Sequence, residues 1–85
     1  MEIANTARIE RVNDIMADAR ALYQMSDDEM RFKHLKHIEQ MCYEIGEYVT
    51  SASISYQCEL WKANNTSVQA GAIYKYLYMM LVKGN

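Results

Sequence analysis

At 85 residues, with a hydrophobic share of 51% and no proline, the chain has the size of one small domain and lacks the commonest helix breaker. Its formal net charge of −2 argues against a protein that binds nucleic acid by electrostatic attraction. Seven methionines and seven tyrosines supply large, adaptable side chains of the kind enriched at protein interfaces. We therefore expect one all-helical domain over residues 1–85.

The first predicted helix covers about residues 6–24. Its apolar residues recur at alternating spacings of three and four, which places them in one stripe along a helix. The stripe consists of Ile9, Val12, Met16, Ala19 and Tyr23, and it is widened by Ile15 and Leu22. Charged side chains occupy the opposite face, so this helix should cover a core with one side only.

A helix start is predicted at the segment Ser26–Glu29, which has the pattern of a capping box. In this motif the Ser26 hydroxyl accepts a hydrogen bond from the amide of Glu29, whose carboxylate reaches back to the cap. Met25 and Met30 occupy the two positions of a hydrophobic staple. The second helix is therefore expected to begin at Asp27 and to run antiparallel to the first.

The second predicted helix covers about residues 27–63 and carries the strictest pattern in the chain. Apolar or small residues alternate at three- and four-residue spacing, which favours coiled-coil-like packing; they are Leu35, Ile38, Cys42, Ile45, Val49 and Ala52. Hydroxyl residues loosen the pattern over 50–55, and the apolar spacing then moves to Ile54, Cys58 and Trp61. A continuous but bent helix is favoured, and a break before a separate helix near residues 53–63 is the alternative.

The last predicted helix covers about residues 67–83. Asn64 and Asn65 favour a helix end, Thr66–Gln69 resembles a second capping box, and Gly84 is suited to terminate the helix. The segment is apolar on nearly every side, which is typical of a helix buried all round. A strand is the competing interpretation because tyrosines alternate at 74, 76 and 78, but a lone strand has nothing to pair with.

The C-terminal aromatic and methionine cluster is the candidate interface. A domain of this size cannot cover an all-apolar helix by itself, so a second copy or another protein should contact it. The residues assigned to this partner or oligomer interface are Trp61, Ile73, Tyr74, Tyr76, Leu77, Tyr78 and Met80, and burial in the core of the protomer is the alternative. Gly46 and Gly71 would allow helices to approach closely at such a contact.

No pattern of catalytic or cofactor-binding residues outweighs a structural explanation. His34 and His37 lie three residues apart between Met30 and Met41, but they supply at most half of a metal site. Carboxylates cluster at a helix start and on solvent faces, and Cys42 lies on the apolar stripe as a small hydrophobe. We therefore expect no enzyme activity, no metal and no cofactor.

The predicted fold is an all-α, up-down bundle of three main helices that forms a homo-oligomer. The predicted function is a non-enzymatic protein–protein interaction module, phage- or mobile-element-encoded, that binds a partner protein to inhibit, block or chaperone it. The alternative is an oligomer that sequesters a nucleotide-like or apolar small ligand between protomers. The N-terminus has no signal-peptide pattern and the apolar run at 70–82 is too short to cross a bilayer, so a cytoplasmic location is expected.

Overall fold

A computed structural model describes the backbone of residues 2–84 and the side chains of residues 6–84. Its elements are α1 (Glu2–Ala21), a 3-10 turn (Leu22–Gln24), α2 (Asp28–Glu44), α3 (Tyr48–Ala63), α4 (Ala70–Leu77) and a π-helical extension of α4 (Tyr78–Lys83). No strand occurs within residues 2–84, so the predicted all-helical class is confirmed. The prediction of three main helices is wrong, because the long second helix is in fact two helices, α2 and α3.

Neighbouring helices in the chain run in opposite directions. Asp18, near the end of α1, lies beside His34 in the first half of α2. Ser51, near the start of α3, donates a hydrogen bond of 2.9 Å to the carbonyl of Glu39, near the end of α2. Helix α1 packs on α2, α3 packs along α2 and α4 packs along α1, so α3 and α4 lie over the α1–α2 pair on the same side of the bundle.

The core is assembled from one side of each helix. The buried stripe of α1 is centred on Ile15 and Ala19, so Ile9 and Tyr23, predicted to belong to it, lie at its edge and are exposed. The buried apolar residues are Val12, Ile15, Met16, Ala19, Leu22, Leu35, Ile38, Met41, Cys42, Ile54, Cys58, Trp61, Val68, Ile73, Leu77 and Leu81. Because every helix contributes, the core joins the whole described chain.

The break between α2 and α3 lies at Gly46, not within residues 50–55. Gly46 has φ of +83°, a left-handed conformation that glycine adopts without steric cost. Its amide donates to the carbonyl of Tyr43 at 3.0 Å, and the amide of Glu47 donates to the carbonyl of Cys42 at 2.9 Å. These two bonds form a Schellman motif, which satisfies the last carbonyl groups of α2 and reverses the chain.

The break divides the predicted stripe of residues 35–52 between two helices. Leu35, Ile38 and Cys42 are fully buried on α2, whereas Val49 is 71% exposed on α3. The inward face of α3 is formed instead by Thr50, Ser51, Ile54, Cys58 and Trp61. The predicted move of the apolar spacing to Ile54, Cys58 and Trp61 is therefore confirmed, but the stripe does not continue along one helix.

Both predicted capping boxes differ from the observed helix starts. Asp27, not Ser26, is the N-cap of α2, and its carboxylate accepts a hydrogen bond of 2.8 Å from the amide of Met30. The box predicted over residues 66–69 does not form, because α4 begins at Ala70 and its N-cap residue, Gln69, makes no side-chain cap. The predicted helix end at residues 64–65 is confirmed: Asn65 has φ of +55°, and the amide of Thr66 closes a second Schellman motif.

Asp28 and Arg31 link three parts of the chain at one end of the bundle. Arg31 donates to the carbonyls of Leu22 and Met25 and to the carboxylate of Asp28. Asp28 also accepts a hydrogen bond of 3.2 Å from the amide of Val68, which precedes α4. Desolvation by itself raises the pKa of Asp28, but the hydrogen bonds from Arg31 and Val68 outweigh it and hold that pKa below its usual value.

Candidate protein-binding surface

The seven residues predicted to form an interface do not all lie on one surface. Trp61, Ile73 and Leu77 are buried in the core, Tyr74, Tyr76 and Met80 are half-buried against it, and Tyr78 is 44% exposed. Within the single chain the last helix is covered on one side only, since one face packs on the core and the other is open. Met79 and Val82 also remain exposed, at 54% and 41%.

A groove runs between α3 and α4. We call it the α3–α4 groove; it is lined by Ser53, Ile54, Gln57, Trp61, Gln69, Ala72, Ile73 and Tyr76 and has a volume of about 310 Å³. Three predicted interface residues, Trp61, Ile73 and Tyr76, meet in it. The structure thus brings together part of the predicted interface in a concave site that the sequence did not define.

The groove has an apolar floor and a polar rim. Its floor consists of the buried side chains of Ile54, Trp61 and Ile73. Gln57 and Gln69 stand at the rim, where each amide group can both donate and accept hydrogen bonds. An apolar floor with uncharged hydrogen-bonding groups at its edge suits the side chains and backbone of a peptide helix.

A second depression lies on the opposite side of α4. It has a volume of about 650 Å³, and we call its lining the α4 outer surface: Tyr74, Lys75, Tyr78, Met79, Lys83 and Gly84. The Tyr74 hydroxyl accepts a long hydrogen bond of 3.5 Å from Arg20 of α1. The surface therefore combines exposed aromatic and methionine side chains with two flanking ammonium groups.

The C-terminal part of the chain is positively charged and the rest is negatively charged. After Glu59 the only charged side chains in the sequence are Lys62, Lys75 and Lys83, a net charge of +3. The preceding segment holds six basic and eleven acidic side chains, a net charge of −5. A partner that contacts α4 therefore meets a basic, apolar surface, which favours an acidic partner.

The two histidines meet a carboxylate that sequence reasoning did not associate with them. The Nε2 atom of His34 lies 3.0 Å from the backbone carbonyl of Asp18, and Nε2 of His37 lies 3.4 Å from its carboxylate. Met41 is buried while Met30 is 49% exposed, so the two methionines do not extend this pair along one surface. Among the described residues no group of three histidine, cysteine or acidic side chains has a geometry that could hold a metal ion.

The remaining candidates for chemistry have structural partners. The carboxylate of Glu47 pairs with Arg8 of α1 at 2.7 Å and fixes the turn between α2 and α3. Glu44 accepts a hydrogen bond of 3.3 Å from Gln40 on the surface of α2. Burial, with the nearby charges of Glu47 and Glu39, raises the pKa of the Cys42 thiol to about 12, which is opposite to the activation of a nucleophile.

Searches against known protein families, curated proteins and solved structures find no match for this chain. Within the described residues no helix combines the length and the apolar character needed to cross a bilayer. The fold and the α3–α4 groove are therefore the observations on which a function can be based.

Proposed function

We propose that this chain is a non-enzymatic helical interaction module that self-associates and binds a partner protein, which it inhibits, blocks or chaperones. The observation that carries the proposal is the α3–α4 groove, where Trp61, Ile73 and Tyr76 meet under a rim of amide groups. Trp and Tyr are the side chains that most often dominate binding energy in protein interfaces. The proposed ligand is an amphipathic helix of the partner, seated between α3 and α4.

The charge distribution narrows the class of partner. Lys75 and Lys83 flank the α4 outer surface, and no acidic side chain follows Glu59 in the sequence. A partner helix with apolar residues on one face would bury that face in the groove, and acidic residues elsewhere on the partner would be attracted by these lysines on the other side of α4. Such charge pairing mainly accelerates association and sets orientation, while the apolar contacts supply most of the affinity.

The test compares two single substitutions that each add one negative charge at an exposed alanine of a helix. Ala72→Glu places a carboxylate in the groove, and Ala17→Glu places one on α1, away from it. A partner isolated with the wild-type chain should bind purified Ala72→Glu at least tenfold more weakly in calorimetry, while Ala17→Glu should keep wild-type affinity. Equal affinity of all three chains would show that the groove does not bind the partner.

A small-ligand site is the second class of function, and the same variants address it. The groove volume of about 310 Å³ lies at the lower end of the range of about 300–1,000 Å³ typical of ligand pockets. A nucleotide or apolar metabolite that raises the melting temperature of the wild-type and Ala17→Glu chains, but not of Ala72→Glu, would identify the groove as a small-ligand site and not as a site for a partner helix.

A further inference from the structure

Helix α3 carries an exposed apolar ridge on the side that faces away from the core. We call it the α3 ridge; it consists of Tyr48, Val49, Ala52, Tyr56 and Leu60. Tyr48, Val49 and Tyr56 are 59%, 71% and 66% exposed, and Leu60 is 36% exposed. The ridge exists because the turn at Gly46 separates α3 from the buried stripe of α2.

The ridge is nearly free of charge. Helix α3 contains two charged side chains, Glu59 and Lys62. The ammonium group of Lys62 lies 5.2 Å from the centre of the Phe32 ring on α2, in a cation–π contact, so it is directed away from the ridge. Glu59 is therefore the single charged side chain that interrupts the ridge, close to its C-terminal end.

The exposed area is sufficient for a small dimer interface. Tyr43, at the end of α2, extends the ridge because its ring contacts that of Tyr48 at a centroid distance of 4.9 Å. Tyr43 is 58% exposed, and at roughly 200 Å² per tyrosine the three tyrosines expose roughly 350–400 Å² between them. A stable interface buries about 800 Å² per partner, and somewhat more than half of that area is apolar. The three tyrosines together with Val49 and Leu60 expose about as much area as this apolar part requires.

The order of residues along the ridge is complementary to itself when two copies run antiparallel. With the centre of the contact near residue 54, Ala52 of one copy faces Tyr56 of the other, and the same pair recurs by symmetry. A small residue then receives a large one twice, as in the mixed layers of an antiparallel helix pair. Val49 faces the aliphatic stem of Glu59, whose carboxylate reaches solvent at the end of the contact.

Charge selects the antiparallel direction over the parallel one. A parallel pair would place the two Glu59 carboxylates opposite each other. In the antiparallel pair, ten residues at 1.5 Å each separate them by about 15 Å, beyond the screening length of about 8 Å at physiological salt. The helix dipoles also oppose each other favourably in this direction.

We propose that a second copy of this chain binds the α3 ridge, so that two antiparallel α3 helices form a symmetric homodimer. This inference rests on the proposed function, because it assigns the self-association named there to one surface. Ser53 and Gln57 line the α3–α4 groove from a different side of α3. Each protomer of the dimer therefore keeps its groove open for a partner protein.

The test uses two substitutions that each disrupt the dimer and together restore it. In a dimer of Ala52→Lys the two introduced lysines are offset by about four residues, or about 6 Å along the helix axis, and repel each other. In a dimer of Tyr56→Glu the two introduced glutamates have the same offset and also repel each other. Each variant should raise the dimer dissociation constant at least tenfold in sedimentation equilibrium. Mixing the two variants places the introduced lysine against the introduced glutamate at one contact and keeps Ala52 against Tyr56 at the other. A heterodimer at least tenfold tighter than either homodimer is therefore expected.

Val49→Glu is the matched control, because it adds the same charge to the ridge but does not face residue 52. Its mixture with Ala52→Lys should remain monomeric, and a heterodimer as tight as that with Tyr56→Glu would contradict the antiparallel pairing. Circular dichroism verifies that each variant folds, which is expected since all three positions are exposed.

Failure of this inference is distinguishable from failure of the proposed function. A monomeric wild-type chain would overturn the α3 homodimer together with the self-association in the proposed function, whereas dimers that persist in both ridge variants would overturn the α3 homodimer alone. If Ala72→Glu instead dissociates the dimer, self-association takes place at the groove, and the proposed function stands without this inference. If the ridge variants are monomeric and still bind the partner, while Ala72→Glu is dimeric and does not, both proposals are supported.

Discussion

Replacing Gly46 by alanine tests the turn that separates α2 from α3. A built Cβ at Gly46 meets no atom within 4 Å, so the substitution creates no clash with the rest of the molecule. The whole effect should come from the backbone, because φ is +83° and a left-handed conformation costs an L-residue about 1–2 kcal/mol. Alanine also lowers the conformational entropy of the unfolded chain, which stabilises the folded protein by about 0.4–1 kcal/mol.

The expected net loss is therefore about 1 kcal/mol, which lowers the melting temperature of a domain of this size by about 4–8 °C. Differential scanning calorimetry at one fixed protein concentration is the assay, since the melting temperature of a self-associating protein depends on concentration. Gly46→Asn should lose less, because asparagine adopts the left-handed region more readily than alanine does.

Gly71→Ala is the matched control and should shift stability in the opposite direction. Gly71 lies in the first turn of α4, and a Cβ there would be 3.4 Å from the Tyr23 hydroxyl, an ordinary contact with a flexible group. Alanine favours the helix over glycine by roughly 0.5–1 kcal/mol, so the melting temperature should rise by a few degrees. Equal shifts of the two variants in the same direction would refute the assignment of the turn to Gly46.

Three further predictions concern buried and charged groups. Cys42 and Cys58 should resist iodoacetamide at pH 8 and react fully in urea, as followed by mass spectrometry, because burial raises both thiol pKa values; rapid reaction of the folded chain would contradict their burial. Asp28 has a lowered pKa when folded, so its stabilisation is complete above its unfolded pKa and is lost as the pH falls through the folded value. In urea titrations, the free energy of unfolding of Asp28→Asn should therefore fall less between pH 6 and pH 2 than that of the wild-type chain. An equal fall in both chains would show that Asp28 does not contribute. Arg8→Met should cost about 0.5–1 kcal/mol by removing the ion pair with Glu47, and it should leave Glu47→Gln without a further effect in a double-mutant cycle.

The apolar spacing of the sequence predicted the helical segments, but it joined α2 and α3 into one helix and placed the starts of α2 and α4 too early. Residues 35, 38, 42, 45, 49 and 52 satisfy a three-four repeat, and a repeat of this kind does not distinguish one long helix from two helices that exchange faces. Gly46 was the available signal, because a glycine followed by a loss of core residues is typical of a helix end. The expectation that Gly46 allows close helix approach is wrong, because no atom beyond its two chain neighbours lies within 4 Å of the position that a Cβ would occupy.

The contacts at the end of the bundle could not be predicted because they depend on distant segments. Arg31 donates to the carbonyl groups of Leu22 and Met25, in the segment between α1 and α2. Asp28 accepts a hydrogen bond from the amide of Val68, forty residues away. Pairings at such separation follow from the packing of the helices and leave no pattern in the local sequence.

The candidate interface was predictable in part, because composition is visible in the sequence and the packing of distant helices is not. Composition identified the C-terminal segment as more apolar than one face of a helix requires, and its outer side is indeed exposed at Tyr78 and Met79. The α3 ridge was missed because Val49 and Ala52 fit the buried stripe of the preceding helix. Only the reversal of the chain at Gly46 turns these two residues outward.

The central claim is that the exposed apolar surfaces of this bundle bind protein, in the first place a second copy of the chain. Its most direct test is the molar mass of the wild-type chain in sedimentation equilibrium, from low micromolar to several hundred micromolar concentration. We expect a reversible increase from the monomer mass of 9.9 kDa to twice that value. A mass that remains at 9.9 kDa over the whole range would contradict it.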